Sequence, residues 1–230
     1  MLSLPRPLRL ISLALALLVP TFAQEPGATP DRANPERWVP DIERFATLDR
    51  ENPPQPGGVV FTGSSSIRLW ATLATDFPGL GAVNRGFGGS HLAHVVRFVD
   101  RLVLAHQPRL VVVYAGENDL QDGATAADVL ASFRALADRI HAARADTRLV
   151  FLAIKESPSR PGIREKVLEA NRLVAAECAR RPGCVFVDVA TPMLDAGGRT
   201  RPELFREDRL HLNADGYAIW TRVLAPHLAP

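Results

Sequence analysis

The sequence predicts an α/β protein, a three-layer α/β/α, doubly wound (flavodoxin-like) sheet of about five parallel strands. Two observations carry this. Five short apolar runs, Val59–Phe61, Ala82–Val83, Leu110–Tyr114, Leu149–Ile154 and Val185–Val189, are continuous rather than alternating, which is the pattern of parallel strands buried on both faces. Helical stretches separate them, and 230 residues with 47% hydrophobic content suit one domain with a sizeable core.

The first 23 residues read as a separate object. Arg6 and Arg9 precede an apolar run from Leu10 to Val19, and Pro20–Ala23 ends in a small residue. This is the layout of a secretory signal peptide with cleavage after Ala23, and it predicts a secreted or periplasmic protein. The apolar run is about half the length needed to span a bilayer as a helix, so no membrane span is expected. Residues 24–57 are Pro-rich and read as a tether. Within it Trp38, Ile42 and Phe45 recur at helical spacing, predicting a short helix that docks on the domain. Residues 58–230 form the domain. Its clearest helix carries Val129, Leu130, Phe133, Leu136 and Ile140 on one face, opened by Thr125 with Asp128 three residues on, as in a capping box. Trp70 and Trp220 read as core residues.

The formal charge of +2 comes with 27 Lys+Arg against 25 Asp+Glu. Arginine outnumbers lysine 25 to 2, and no run of five or six like charges occurs. Both excess positive charges lie in the leader, so the remaining chain is formally neutral and no nucleic-acid partner is expected. Cys178 and Cys184 flank a helix end and a turn. In an oxidising compartment they can close a small loop, a reading slightly favoured over two unpaired thiols, one of them packed as a small hydrophobe.

Ligands of an open α/β sheet bind beyond the carboxyl ends of its strands, and the unusual motifs lie there or just before the last helix. The first strand runs into Gly63-Ser64-Ser65-Ser66, the second into Asn84-Arg85-Gly86-Phe87-Gly88-Gly89-Ser90, and the third into Gly116-Glu117-Asn118-Asp119. Asp208-Arg209-Leu210-His211 precedes a helix beginning at Asn213. Taken singly, each has an ordinary explanation: helix caps, tight turns, an Asx turn, a solvated pair. Together they supply what acyl transfer requires, a nucleophile, a base, an acid to orient the base, and oxyanion donors. An Asp three residues before a His can reach its imidazole within one turn.

These four blocks, FTGSSSIRLW, NRGFGGS, GEND and DRLHLNADGY, resemble those of the GDSL-type or SGNH hydrolase family in order and spacing, from about Val59 to the C-terminal helix. The family includes platelet-activating-factor acetylhydrolase-like catalytic domains. The resemblance implies an SGNH-type fold and a GDSL/SGNH-type esterase with Ser65 as nucleophile, His211 as general base and Asp208 orienting it. It also implies an oxyanion hole from the Ser65 and Gly89 backbone amides and the Asn118 side chain. It implies no cofactor and no metal, and a small-molecule ester substrate, an acylated carbohydrate or lipid-like compound. The alternatives are an acyltransferase on the same site and a non-catalytic carbohydrate- or cell-wall-binding protein that retains the fold. The family's Gly-Asp-Ser is here Gly63-Ser64-Ser65, and Ser66 remains a rival nucleophile. Glu117 reads as a solvated loop acid. The Lys155–Arg160 loop reads equally as a specificity loop or a solvated connector. His91 and His94, three apart, lack a third metal ligand, and His106, His141 and His227 read as structural.

Overall fold

The computed structural model describes residues 34–229; the expected leader and its cleavage point lie outside the described residues. The chain runs through α1 (Val39–Glu51), β1 (Val59–Gly63), α2 (Ser65–Arg68), α3 (Leu73–Asp76), β2 (Ala82–Gly86), α4 (Leu92–Arg97) and α5 (Val99–Leu102). It continues with β3 (Leu110–Tyr114), α6 (Glu117–Gln121), α7 (Ala126–Ala143), β4 (Arg148–Leu152), α8 (Arg164–Cys178), β5 (Cys184–Val187) and α9 (Ala214–Leu224). The strands form one parallel sheet in the order β2-β1-β3-β4-β5.

Both faces of the sheet are covered, which is why its strands are apolar without alternation. On β3, Val111 and Val113 join the core beneath α1, α4, α5, α7 and α8, while Leu110, Val112 and Tyr114 join the core beneath α2, α3 and α9. Each such fully buried aliphatic or aromatic side chain contributes roughly 1.5–3 kcal/mol. The α7 face of Val129, Phe133, Leu136 and Ile140 is buried, and its Thr125–Asp128 capping box is present. Trp70 and Trp220 are buried in the second core.

Trp38, Ile42 and Phe45 are buried in the same core as Val60, so α1 packs into the domain. The Trp38 indole N–H donates to the Gly88 carbonyl at 2.9 Å, tying this segment to the turn after β2. The disulfide anticipated between Cys178 and Cys184 does not form: both are free thiols. Cys178 faces the core and Cys184 packs against it as small hydrophobes, and burial pushes the two thiols up to about 12 and about 11.

Candidate active site

The strand order sets the position of the site. β1 pairs with β2 on one side and β3 on the other, so the chain reverses direction across the sheet at β1. Such a reversal opens a crevice at the strands' carboxyl ends. There Gly63 stands in register with Tyr114. Gly63 has φ of 131°, and a Cβ at this position would lie 1.9 Å from the Tyr114 carbonyl oxygen. Only glycine allows the turn so close to the neighbouring strand. The Ser64 amide donates to that same carbonyl at 2.9 Å, and Ser65 opens α2.

His211 arrives from the loop before α9. Its Nε2 lies 2.9 Å from Ser65 Oγ, and its Nδ1 lies 2.6 Å from Asp208 Oδ2. The second Asp208 oxygen accepts the Leu210 and His211 amides, each at 2.9 Å. Burial acts to raise the Asp208 carboxyl, but hydrogen bonds from the His211 amide and ring and the Leu210 amide outweigh it and hold the group at about 2. A carboxylate beside Nδ1 keeps the ring proton there and leaves the Nε2 lone pair facing Ser65. Ser66 is buried, and its carbonyl accepts the Tyr217 hydroxyl at 2.8 Å. The serine in contact with histidine is Ser65.

Across the pocket, Gly89 adopts φ of 74° in the turn after β2, and Asn118 sits in the first turn of α6. Asn118 Nδ2 donates to the Ser90 carbonyl at 3.0 Å, and its Oδ1 accepts from Arg160 Nη2 at 3.0 Å. The Ser65 amide, first in its helix, and the Gly89 amide have no protein acceptor among the described residues. Ser65, Gly89, Asn118 and His211 line one pocket of about 300 Å³, together with Asp41, Arg68 and Arg160. Asp208 stands behind His211. All five residues singled out in the sequence therefore converge.

Glu117 corrects the sequence reading. It is buried rather than solvated, and it accepts hydrogen bonds from the Tyr114 hydroxyl at 2.8 Å, Lys155 Nζ at 2.7 Å and Ser157 Oγ at 2.5 Å. Arg160 Nη1 lies 3.4 Å from Oε1, the oxygen that also accepts from Ser157. Burial alone would raise this carboxyl, but Lys155 and Arg160 hold it below the usual carboxylate range. The Lys155–Arg160 loop is thus no solvated connector at its two ends: Lys155 is 1% exposed and Arg160 lines the pocket. The sequence offers one weak signal here: Lys155 is one of two lysines in an arginine-rich chain. The pairing of β4 with β3, which brings Lys155 beside Glu117, comes from the structure alone.

His91 Nε2 lies 2.8 Å from Asp122, and the His91 amide donates to His94 Nδ1 at 2.9 Å. Among the described residues, no group of three or more His, Cys, Asp or Glu is arranged to hold a metal.

A family model described as the GDSL-like Lipase/Acylhydrolase family matches residues 57–219. No curated protein sequence matches the chain. Among solved structures, one from Streptococcus pneumonia, described as a candidate platelet activating factor, superposes with a TM-score of 0.74 at 18% identity, covering 84% of this chain and 96% of that one. A GDSL-like lipase from Bacteroides thetaiotaomicron gives 0.68 at 19% identity, covering 82% and 97%. An acetylxylan esterase from Geobacillus stearothermophilus gives 0.61 at 16% identity, covering 77% and 96%. At these identities the likeness to each is one of fold.

Proposed function

Because the chain belongs to the GDSL-like lipase/acylhydrolase family, we propose that it is an exported serine esterase that cleaves small acyl esters, acetyl or short-chain, through Ser65, His211 and Asp208. The observation that carries this reading is the continuous relay from Ser65 Oγ through His211 to Asp208, at 2.9 and 2.6 Å. His211 Nε2 takes the Ser65 proton as Oγ attacks the ester carbonyl, and Asp208 stabilises the imidazolium that results. The oxyanion of the tetrahedral intermediate is received by the Ser65 and Gly89 amides and an Asn118 Nδ2 hydrogen. Collapse expels the alcohol, protonated by His211, and leaves an acyl-enzyme on Ser65. Water activated by His211 then releases the acid.

Ser65, Gly89, Asn118 and His211 share an open pocket of about 300 Å³, at the small end of the range for ligand sites; the acyl-length series below decides the chain length it takes. The substrate on this reading is an acylated carbohydrate or a lipid-like ester, and the leaving alcohol is the hydroxyl freed from it. The solved neighbour described as an acetylxylan esterase is consistent with the former. Export rests on residues 1–23 as a leader cleaved after Ala23. Among the described residues no helix is long and apolar enough to cross a membrane.

Turnover of a p-nitrophenyl ester series of increasing acyl length, with labelling by a fluorophosphonate probe, tests the reading. Wild type is expected to label, to prefer acetyl, and to lose about 10⁴-fold or more of kcat on Ser65→Ala. Equal labelling of wild type and Ser65→Ala would rule out Ser65 as the nucleophile. Rates that rise with acyl length would replace the short-chain assignment by a lipid one.

A further inference from the structure

The proposed chemistry leaves unused the buried cluster of Glu117, Lys155 and Ser157 and the part-buried Arg160 beside it. Resting on the esterase reading, we propose that Arg160 is a positioning residue for the oxyanion hole, acting through the orientation of the Asn118 amide. A side-chain amide can present either its oxygen or its nitrogen to a pocket, and only the nitrogen stabilises an oxyanion. Two partners decide the matter. The Ser90 carbonyl can only accept, and it faces Nδ2 at 3.0 Å. The Arg160 guanidinium can only donate, and it faces Oδ1 at 3.0 Å. With Oδ1 held by a cation and one Nδ2 hydrogen given to Ser90, the second Nδ2 hydrogen is the one left for the pocket. A guanidinium on Oδ1 also polarises the amide and strengthens its N–H as a donor.

Arg160 is itself fixed. Its Nη1 lies 3.4 Å from Glu117 Oε1, and Glu117 is anchored by Lys155 Nζ at 2.7 Å and by Ser157 Oγ at 2.5 Å. Ser157 in turn accepts from Lys155 at 2.6 Å. The Arg160 amide donates to the Ser157 carbonyl at 2.9 Å, so the arginine is tethered at backbone and head group alike. The neighbouring Ser159 amide donates to the Arg209 carbonyl at 3.1 Å. One loop therefore braces Asn118 on one side of the pocket and the turn between Asp208 and His211 on the other. A planar guanidinium can bridge Glu117 and Asn118 at once, and a lysine at 160 cannot reproduce both contacts.

A double-mutant cycle on Arg160 and Asn118 tests this, using kcat and KM for p-nitrophenyl acetate. Asn118→Ala removes one oxyanion donor and is expected to lower kcat by about 10²–10³-fold. Arg160→Ala is expected to lower kcat by about 10- to 100-fold, a part of that loss, with KM changed less than about threefold. Combined with Asn118→Ala, it is expected to add less than about threefold, because its target is gone. Arg160→Lys keeps the charge beside Glu117, guards against misfolding of the alanine variant, and is expected to fall between wild type and Arg160→Ala. Losses that multiply in the double variant, or a raised KM with kcat intact, would overturn the inference and leave the esterase reading standing. Absence of Ser65-dependent turnover in wild type would overturn both.

Discussion

Asp208 and Glu117 each accept several hydrogen bonds behind a residue of the same pocket, Asp208 behind His211 and Glu117 behind Arg160. Their surroundings differ. The Asp208 side chain is 47% exposed, whereas that of Glu117 is 5% exposed. Burial opposes ionisation at both, and at both the hydrogen-bond and charge partners win. The partners of Asp208 are two backbone amides and an imidazole whose charge changes during the proposed turnover. Those of Glu117 include Lys155 and Arg160, neither of which takes part in the proposed proton transfers. A half-exposed carboxylate can serve a ring that gains and loses a proton without a large penalty in either state. A buried carboxylate needs permanent countercharge, since unpaired it is strongly destabilising. In the proposed mechanism one acid thus serves the chemistry, the other the rigidity of the wall that chemistry faces.

The comparison breaks most sharply at Asp208. Asp208→Asn is expected to lower kcat by up to about 10⁴-fold, because the ring loses the partner that sets its tautomer. Half-exposed as it is, the change is expected to shift Tm by only a few degrees. Glu117→Gln should give the reverse pattern. It strips a buried pair of one charge, and breaking such a pair costs about 3–5 kcal/mol, on the order of 10 °C in Tm for a domain of this size. Its kcat is expected to fall by less than about tenfold, since Arg160 still reaches Asn118. Thermal denaturation beside steady-state kinetics on the two purified variants reads both axes. Equal losses of Tm and of kcat in the two would erase the distinction between them.

The features legible in the sequence were those carried by local pattern. Continuous apolar runs gave the strands because both faces of the sheet are covered, and Thr125 with Asp128 marked the start of α7. Asp208 and His211 lie three residues apart, so their contact needs only a tight turn. Ser65 and Asn118 were legible as strand-end motifs, although only the strand order β2-β1-β3 sets them across one crevice. The Glu117 cluster was not legible in this way. Its carboxylate lies 38 residues from Lys155 and 43 from Arg160 in sequence, and a single acid after a strand most often meets solvent. What buries it is the pairing of β3 with β4, which sets the two continuations side by side. The cysteines erred for a related reason. Their spacing permits a small loop, but the core beneath α8 holds Cys178 as a packing residue.

The smallest expected effect separates the two acids by pH. A carboxylate whose folded pKa is depressed contributes stability that is fully present above its unfolded value and is lost as pH falls through the folded value. For Asp208 the window runs from an unfolded value of about 3.9 down to about 2. Because the group is half exposed, solvent screening leaves about 1 kcal/mol of this linkage, or roughly 2–4 °C in Tm. Between pH 5 and pH 2.5, wild type is therefore expected to lose a few degrees that Asp208→Asn does not lose. Glu117 is shifted in the same direction, so Glu117→Gln should also flatten the acid limb, starting from a lower Tm at neutral pH. Calorimetric scans at half-unit pH steps distinguish the two: Asp208→Asn and wild type should converge on acidification. Parallel curves for those two proteins would mean that the hydrogen bonds to Asp208 contribute nothing to the stability of the fold.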